Sequence, residues 1–125
     1  MEIKNKRTQL RVRVSLPVEI YDILNDKKFS GTVVDISVGG VSLVTNEELP
    51  GNTPVSLTFT FEDIVYKKIP ADIVREVKNN KEKYLGSVFL DLGIKAKDRL
   101  ENSIRIVRAR KIKGLQKETL YNIYR

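Results

Sequence analysis

The sequence predicts an all-β domain, a small antiparallel six-stranded barrel, followed by a C-terminal α-helix. Three observations predict it. Leu10, Val12, Val14, Leu16, Val18 and Ile20 alternate with Arg11, Arg13, Ser15, Pro17, Glu19 and Tyr21, and a period of two over that length marks a half-buried strand. Further strand-length runs follow, separated by short turn signals, which suits an antiparallel sheet that closes on itself and so removes its exposed edges. From Ala96 to Ile112 the apolar spacing then becomes helical. The 125 residues suit a single domain.

Each element has its own signal. Pro17 cannot donate to a ladder and predicts an edge position or a bulge in the first strand. Asn25-Asp26-Lys27-Lys28 is a turn, and Phe29 to Ser37 is a second strand rich in β-branched residues. Gly39-Gly40 interrupts it before a short third strand, Val41-Ser42-Leu43-Val44, and Pro50-Gly51-Asn52 is the next turn. Val55, Leu57, Phe59 and Phe61 alternate with Ser56, Thr58 and Thr60 in a fourth strand, with both phenylalanines assigned to the core. Glu62-Asp63 turns the chain into a fifth strand, 65–77, in which Pro70 marks a bend or bulge. Asn79-Asn80-Lys81 leads to a sixth, from Tyr84 to Leu92. In the helix Leu100, Ile104 and Val107 share one face while Arg99, Arg105, Arg108 and Arg110 lie largely elsewhere, and Gly114 is the expected stop. The expected layout is therefore one domain with a mobile basic segment 1–11, a barrel 12–92, a helix 95–113 and a tail 114–125. Leu120, Tyr121, Ile123 and Tyr124 leave that tail open to another helical turn or two, and to packing on the barrel or docking a partner.

Composition removes whole classes of chemistry. The chain has no Cys, which excludes disulfides, thiol redox and Cys-ligated zinc, and no His, which removes the commonest general base and metal ligand. Asp35, Asp63 and Asp72 fall on different elements with no pairing in their spacing, so catalytic residues and metal ligands are both expected to be none. No apolar run approaches the roughly 20 residues of a membrane span, and Met1 to Lys6 leads into no signal-like apolar segment. The expectation is a cytoplasmic binding domain, without membrane insertion, rather than an enzyme. The net charge of +7 is uneven: residues 95–125 hold ten basic and three acidic residues, residues 1–13 five and one, and residues 14–94 eight and twelve. An acidic body with basic ends suggests localised anion contacts, although basic ends are also common solubilising surfaces.

Two local patterns carry candidate chemistry. Arg7 and Arg11 stand four apart at the approach to the first strand. The guanidinium fork matches phosphate oxygens and the O6/N7 edge of guanine, and its plane stacks on bases. In Asp35-Ile36-Ser37-Val38-Gly39-Gly40, the Asp and Ser side chains share a face, the carboxylate accepts N–H donors, and the glycines admit positive φ and a close ligand approach. Alone, that hexapeptide reads better as a tight turn between strands than as a site.

Together, Arg-x-x-x-Arg and Asp-x-Ser-x-x-Gly across two strands resemble the PilZ domain family. Arg11 to Val18 looks like the opening strand of that family, Gly31 to Val41 like its second and third, and Leu85 to Leu92 like its closing strand, so the resemblance covers about residues 6–110. It implies a six-stranded barrel with a C-terminal helix that binds the bacterial second messenger cyclic di-GMP and needs no other cofactor. By the same resemblance Arg7 and Arg11 grip phosphates and guanine edges, Asp35, Ser37 and Gly40 contact the ligand, and Gly39 supports the turn. Lys6 and Arg13 are further candidates, Lys6 because a basic residue there accompanies a stacked two-molecule form of the ligand. Ordering of the N-terminal segment would then signal to a downstream protein partner, with the domain a monomer or homodimer. Two other readings stand beside this one. A small basic barrel also suits single-stranded nucleic acid, with Phe29, Tyr66 and Tyr84 as stacking candidates, although no clustered platform is visible and no specific nucleic acid is expected. A ligand-free PilZ-like protein-interaction module is the other.

Overall fold

Strand propensity and turn chemistry divide the chain into β1 Arg11–Asp22, β2 Lys27–Ser37, β3 Val41–Val44, β4 Thr53–Phe61, β5 Ile64–Asn79, β6 Glu82–Phe89 and one helix, α1 Ile94–Ile123. The computed structural model describes residues 10–79 and 82–123. All strand pairs are antiparallel, and the sheet closes in the order β1-β2-β3-β6-β5-β4. This is the six-stranded barrel with a C-terminal helix that the alternation predicts.

The alternation itself fills the barrel. Val12, Val18 and Ile20 from β1 and Val55, Leu57, Phe59 and Phe61 from β4 are buried, joined by Ile36, Leu43, Ile73 and Leu85 from the other strands. From α1, Leu100 and Ile104 are fully buried in the same cluster, with Val107 packed against it. Each such side chain contributes about 1.5–3 kcal/mol of burial, which is what fixes the helix to the barrel. Tyr66, a stacking candidate on sequence, belongs to this core: it is 3% exposed, with its ring stacked on Phe59 at 5.2 Å. Phe29 also packs against the core and Tyr84 is half-buried, so the described residues present no aromatic platform for bases.

The two strand prolines show how a closed barrel accommodates a missing donor. Pro17 pairs with Thr32 of β2, but pairing with β4 starts one residue later, at Val18. Pro70 pairs with Ser56 of β4, while pairing with β6 starts one residue later, at Ala71. Pro17 is thus paired on one side only, a local edge within a sheet that has no global one, whereas Pro70, just outside the β5–β6 ladder, still accepts from Leu90 N through its carbonyl at 2.9 Å. Pro70 is not a bulge: it keeps register, and the irregularities of β5 fall on either side of it, near Lys68 (φ 53°) and at Val74.

The β4–β5 connection is a two-residue hairpin, with Glu62 and Asp63 at φ 50° and 67°, the double positive φ of a type I′ turn. Arg110 of α1 donates to Glu62 Oε1 at 2.9 Å. The helix differs from expectation at its end. It runs through Gly114 to Ile123, so segment 114–123 continues the helix instead of forming a separate tail. A glycine costs a helix interior only about 1 kcal/mol relative to alanine, and Leu115-Gln116-Lys117-Glu118 beyond it are good helix formers.

Candidate ligand-binding site

A cavity of about 450 Å³ opens on the outer face of the barrel where β1, β2, β3, β5 and β6 come together. Arg11, Asp35, Ser37, Gly39 and Gly40 all line it. These are five of the candidates drawn from the sequence, brought to one place by the β1–β2 ladder and the β2–β3 corner. Arg7 and Lys6 lie outside the described residues. Arg13, paired with Asp35 in the ladder, is not among the lining residues, although its charge acts on Asp35.

Asp35 reaches the cavity because the strand breaks phase beside it. Val33 and Ile36 are both fully buried, three residues apart, which strict alternation forbids. The register of β2 against β3 slips between Val33 and Asp35, leaving Val34 as an extra residue, and β1 opposite slips between Arg13 and Leu16. Without that bulge Asp35 would point with Val33 into the core. Bulges of this kind re-aim side chains next to sites. The same device recurs across the cavity. Ile73 is fully buried, the β5–β6 register slips between Ile73 and Arg75 around Val74, and Arg75 turns outward to line the cavity instead of following Ile73 inward.

The charges form a poised set. Arg11 Nη1 lies 3.8 Å from Asp35 Oδ2, with the two side chains 58% and 28% exposed. A pair that long and that exposed is worth little and leaves both groups able to engage a ligand. Burial pushes the Asp35 carboxyl above the usual carboxylate range, opposed by the positive charges of Arg11 and Arg13 and by the Ile36 N–H. A half-sheltered carboxylate without a strong fixed partner is a ready acceptor for ligand N–H groups.

The corner 37–40 is built more tightly than a surface turn requires. Ser37 Oγ donates to Gly40 O at 3.3 Å and accepts from Gly39 N at 3.2 Å, while Ser37 N donates to Gly40 O at 2.9 Å. Phe89 N donates to Gly39 O at 2.8 Å, tying the corner to β6. Ser37 therefore shapes the cavity wall first, with one acceptor lone pair to spare. Neither glycine has a positive φ; among the described residues Gly93 is the glycine that does. Gly40 answers instead to space, because a Cβ there would sit 2.0 Å from the Ser87 carbonyl oxygen.

Sequence reasoning missed the opposite wall: Ser42, Val74, Arg75, Gly86, Ser87 and Val88. Arg75 matters most, since it adds a second described guanidinium to the cavity that Arg11 lines. Its stem lies along Gly86, where a Cβ would meet Arg75 Cγ at 3.5 Å and Nε at 3.7 Å. The signal available was the broken phase of Ile73-Val74-Arg75, and it points to a site only once β5 is known to face β2. Two guanidinium forks, a carboxylate, small hydroxyls and apolar flanks at Val74 and Val88 suit a flat polar anion. Among the described residues no group of acidic side chains is placed to hold a metal, and no helix is long and apolar enough to cross a membrane.

Residues 5–105 match the sequence model of the PilZ domain. No curated protein matches the sequence. Among solved structures, the chain is similar to the Bacillus subtilis inhibitor of motility, MotI/DgrA, with a TM-score of 0.74 and 15% identity over 86% of this chain and 54% of that one. It is similar to Escherichia coli YcgR in complex with c-di-GMP, at 0.73 and 14% over 94% and 51%. It is also similar to the PilZ domain of Escherichia coli YcgR with c-di-GMP, at 0.65 and 14% over 90% and 99%. The chain spans about half the length of the first two, and at these identities the likeness is one of fold. Matched over most of its length, the chain belongs to the PilZ domain family.

Proposed function

We propose that the chain is a receptor for cyclic di-GMP, with Arg7, Arg11, Asp35, Ser37, Gly39 and Gly40 as its ligand-binding residues and Arg75 as a further one. The observation that carries this reading is the convergence of Arg11, Asp35, Ser37, Gly39 and Gly40 on a single cavity. The ligand offers what those groups lack: two phosphates for guanidinium forks and guanine N–H donors for the Asp35 carboxylate. Two structural neighbours, Escherichia coli YcgR and its PilZ domain, were solved with c-di-GMP, which supports the same assignment.

In this account Arg11, already held at the cavity by β1, engages the ligand together with Arg7, the ligand draws the segment ahead of β1 over the cavity, and the new position of that segment is read by a partner protein. Fixing a residue costs about 1–2 kcal/mol of backbone entropy, so only charge-assisted bonds of about 1.5–3 kcal/mol each can offset the ordering. The role we propose is that of a receptor. Isothermal titration of cyclic di-GMP into wild type and Arg11→Ala tests the reading. Saturable binding by wild type and its loss in the variant support it, and equal heats in both would refute it.

A further inference from the structure

The strand that carries Arg11 is held in an unusual way. β2 pairs along one edge of β1 from Arg11 to Asp22, but β4 pairs along the other edge only from Val18 onwards. Backbone carbonyls on an unpaired strand edge need other partners. Two cations of α1 supply them: Arg108 Nη1 donates to Arg11 O at 3.0 Å, and Lys111 Nζ donates to Arg13 O at 2.7 Å. Residues three apart share one helix face, and carbonyls two apart share one strand edge, so the two elements match along this line. The side chain of Arg11 meets Asp35 at the cavity, while its own carbonyl is in the grip of the helix.

We propose that Arg108 and Lys111 are positioning residues for the ligand site, and that through them α1 is coupled to its occupancy. This rests on the cavity being a cyclic di-GMP site. The two bonds lie on the surface and are individually weak, which makes the contact adjustable and not locked. A ligand that draws Arg11 inward shifts the carbonyl that Arg108 holds, and by reciprocity any partner that captures the helix changes the affinity for ligand. The helix then offers a second output beside the N-terminal segment, built from residues outside the Arg-x-x-x-Arg and Asp-x-Ser-x-x-Gly patterns.

The test uses the full chain with Arg108→Ala and Lys111→Ala combined, against a charge-matched control, Arg105→Ala with Lys113→Ala. The control removes the same charge from α1, while Arg105 pairs with Glu101 on the helix itself. Two readouts are taken: cyclic di-GMP affinity, and amide hydrogen exchange at Val12 to Val14 without ligand. The first pair of changes is expected to weaken affinity roughly five- to tenfold, at the low end of coupling between sites, and to speed exchange locally. The control should move affinity by no more than about twofold, as surface substitutions do. Arg108→Lys with Lys111→Arg, which keeps both donors, should restore most of the affinity. Should the double variant fail to fold, each single change reads the same exchange. Variant and control alike in both readouts would overturn the proposal. A wild type that binds no cyclic di-GMP refutes the receptor reading instead, and unchanged exchange at Val12 to Val14 would then separately refute the anchoring by the helix.

Discussion

Gly40→Ala is the perturbation whose magnitude follows most directly from geometry. The added Cβ would lie 2.0 Å from the Ser87 carbonyl oxygen, 2.9 Å from its carbon and 3.1 Å from Val88 Cα, where ordinary contact begins at about 3.4 Å. All three atoms are backbone, so no side chain can swing aside. Relief requires moving the 37–40 corner away from β6 by about 1.4 Å, the difference between 3.4 and 2.0 Å. That movement breaks the 2.8 Å bond from Phe89 N to Gly39 O. Overpacking of about 1–3 kcal/mol and a lost hydrogen bond of about 1 kcal/mol give a destabilisation of about 2–4 kcal/mol. Against a total of about 5–15 kcal/mol that is a large fraction, and at about 4 °C per kcal/mol it lowers Tm by about 8–16 °C. Gly51→Ala is the control, because its Cβ would meet Val74 O at 3.4 Å and should change stability by less than about 0.5 kcal/mol. Urea unfolding of the two variants decides the matter. Equal midpoints would show that β6 does not constrain the corner and that the account of Gly40 is wrong.

Three other outcomes follow from the structure. Asp35→Asn should leave the ligand-free protein at least as stable as wild type at neutral pH while abolishing binding. The carboxyl is raised above its usual range, so between the unfolded and folded values the native state holds more protons, stability falls as pH rises through that window, and the ionised form is a liability that Asn removes. Thermal melts of both proteins on either side of the carboxylate range check this, and wild-type affinity should weaken as the pH is lowered through the same window. Arg75→Ala, at an exposed position, should weaken cyclic di-GMP binding about tenfold or more, the loss of one charge-assisted contact, with Tm nearly unchanged; calorimetry and a melt measure the two. Tyr66→Phe should be neutral or stabilising by about 1 kcal/mol in urea unfolding, because the buried Tyr66 hydroxyl has no hydrogen-bond partner and the ring keeps its stacking on Phe59.

What the sequence disclosed, and what it hid, divides along physical lines. Local periodicity is legible without any tertiary knowledge, so β1, β4 and the apolar face of α1 with Leu100 and Ile104 could be named in advance. The meeting of Arg11 with the Asp35 corner was legible as a pattern of residue types. Arg75 was not, because its place in the cavity depends on β5 lying across from β2 in the closed sheet, a fact of long-range register. The bulges at Val34 and Val74 show in the sequence only as two neighbouring β-branched residues ahead of a charged one, Val33-Val34-Asp35 and Ile73-Val74-Arg75, and nothing local says which of them faces the core. Gly114 misled for a simpler reason. A single glycine weakens a helix without ending it when good helix formers follow. The prolines were half legible: the missing donor predicted an edge or a bulge at Pro17, where pairing with β4 starts one residue later, but the bulge expected at Pro70 is not there, since that residue keeps register with Ser56.

The receptor claim is tested most directly by following backbone amide resonances while cyclic di-GMP is added to the intact chain. The account predicts saturable shifts concentrated at Arg11, at residues 35–41 and across the cavity at Arg75 and residues 86–88, with the hairpin at Ile23 to Asp26 unaffected. Saturation with shifts clustered elsewhere on the barrel, or no shifts at all at high ligand concentration, would contradict it.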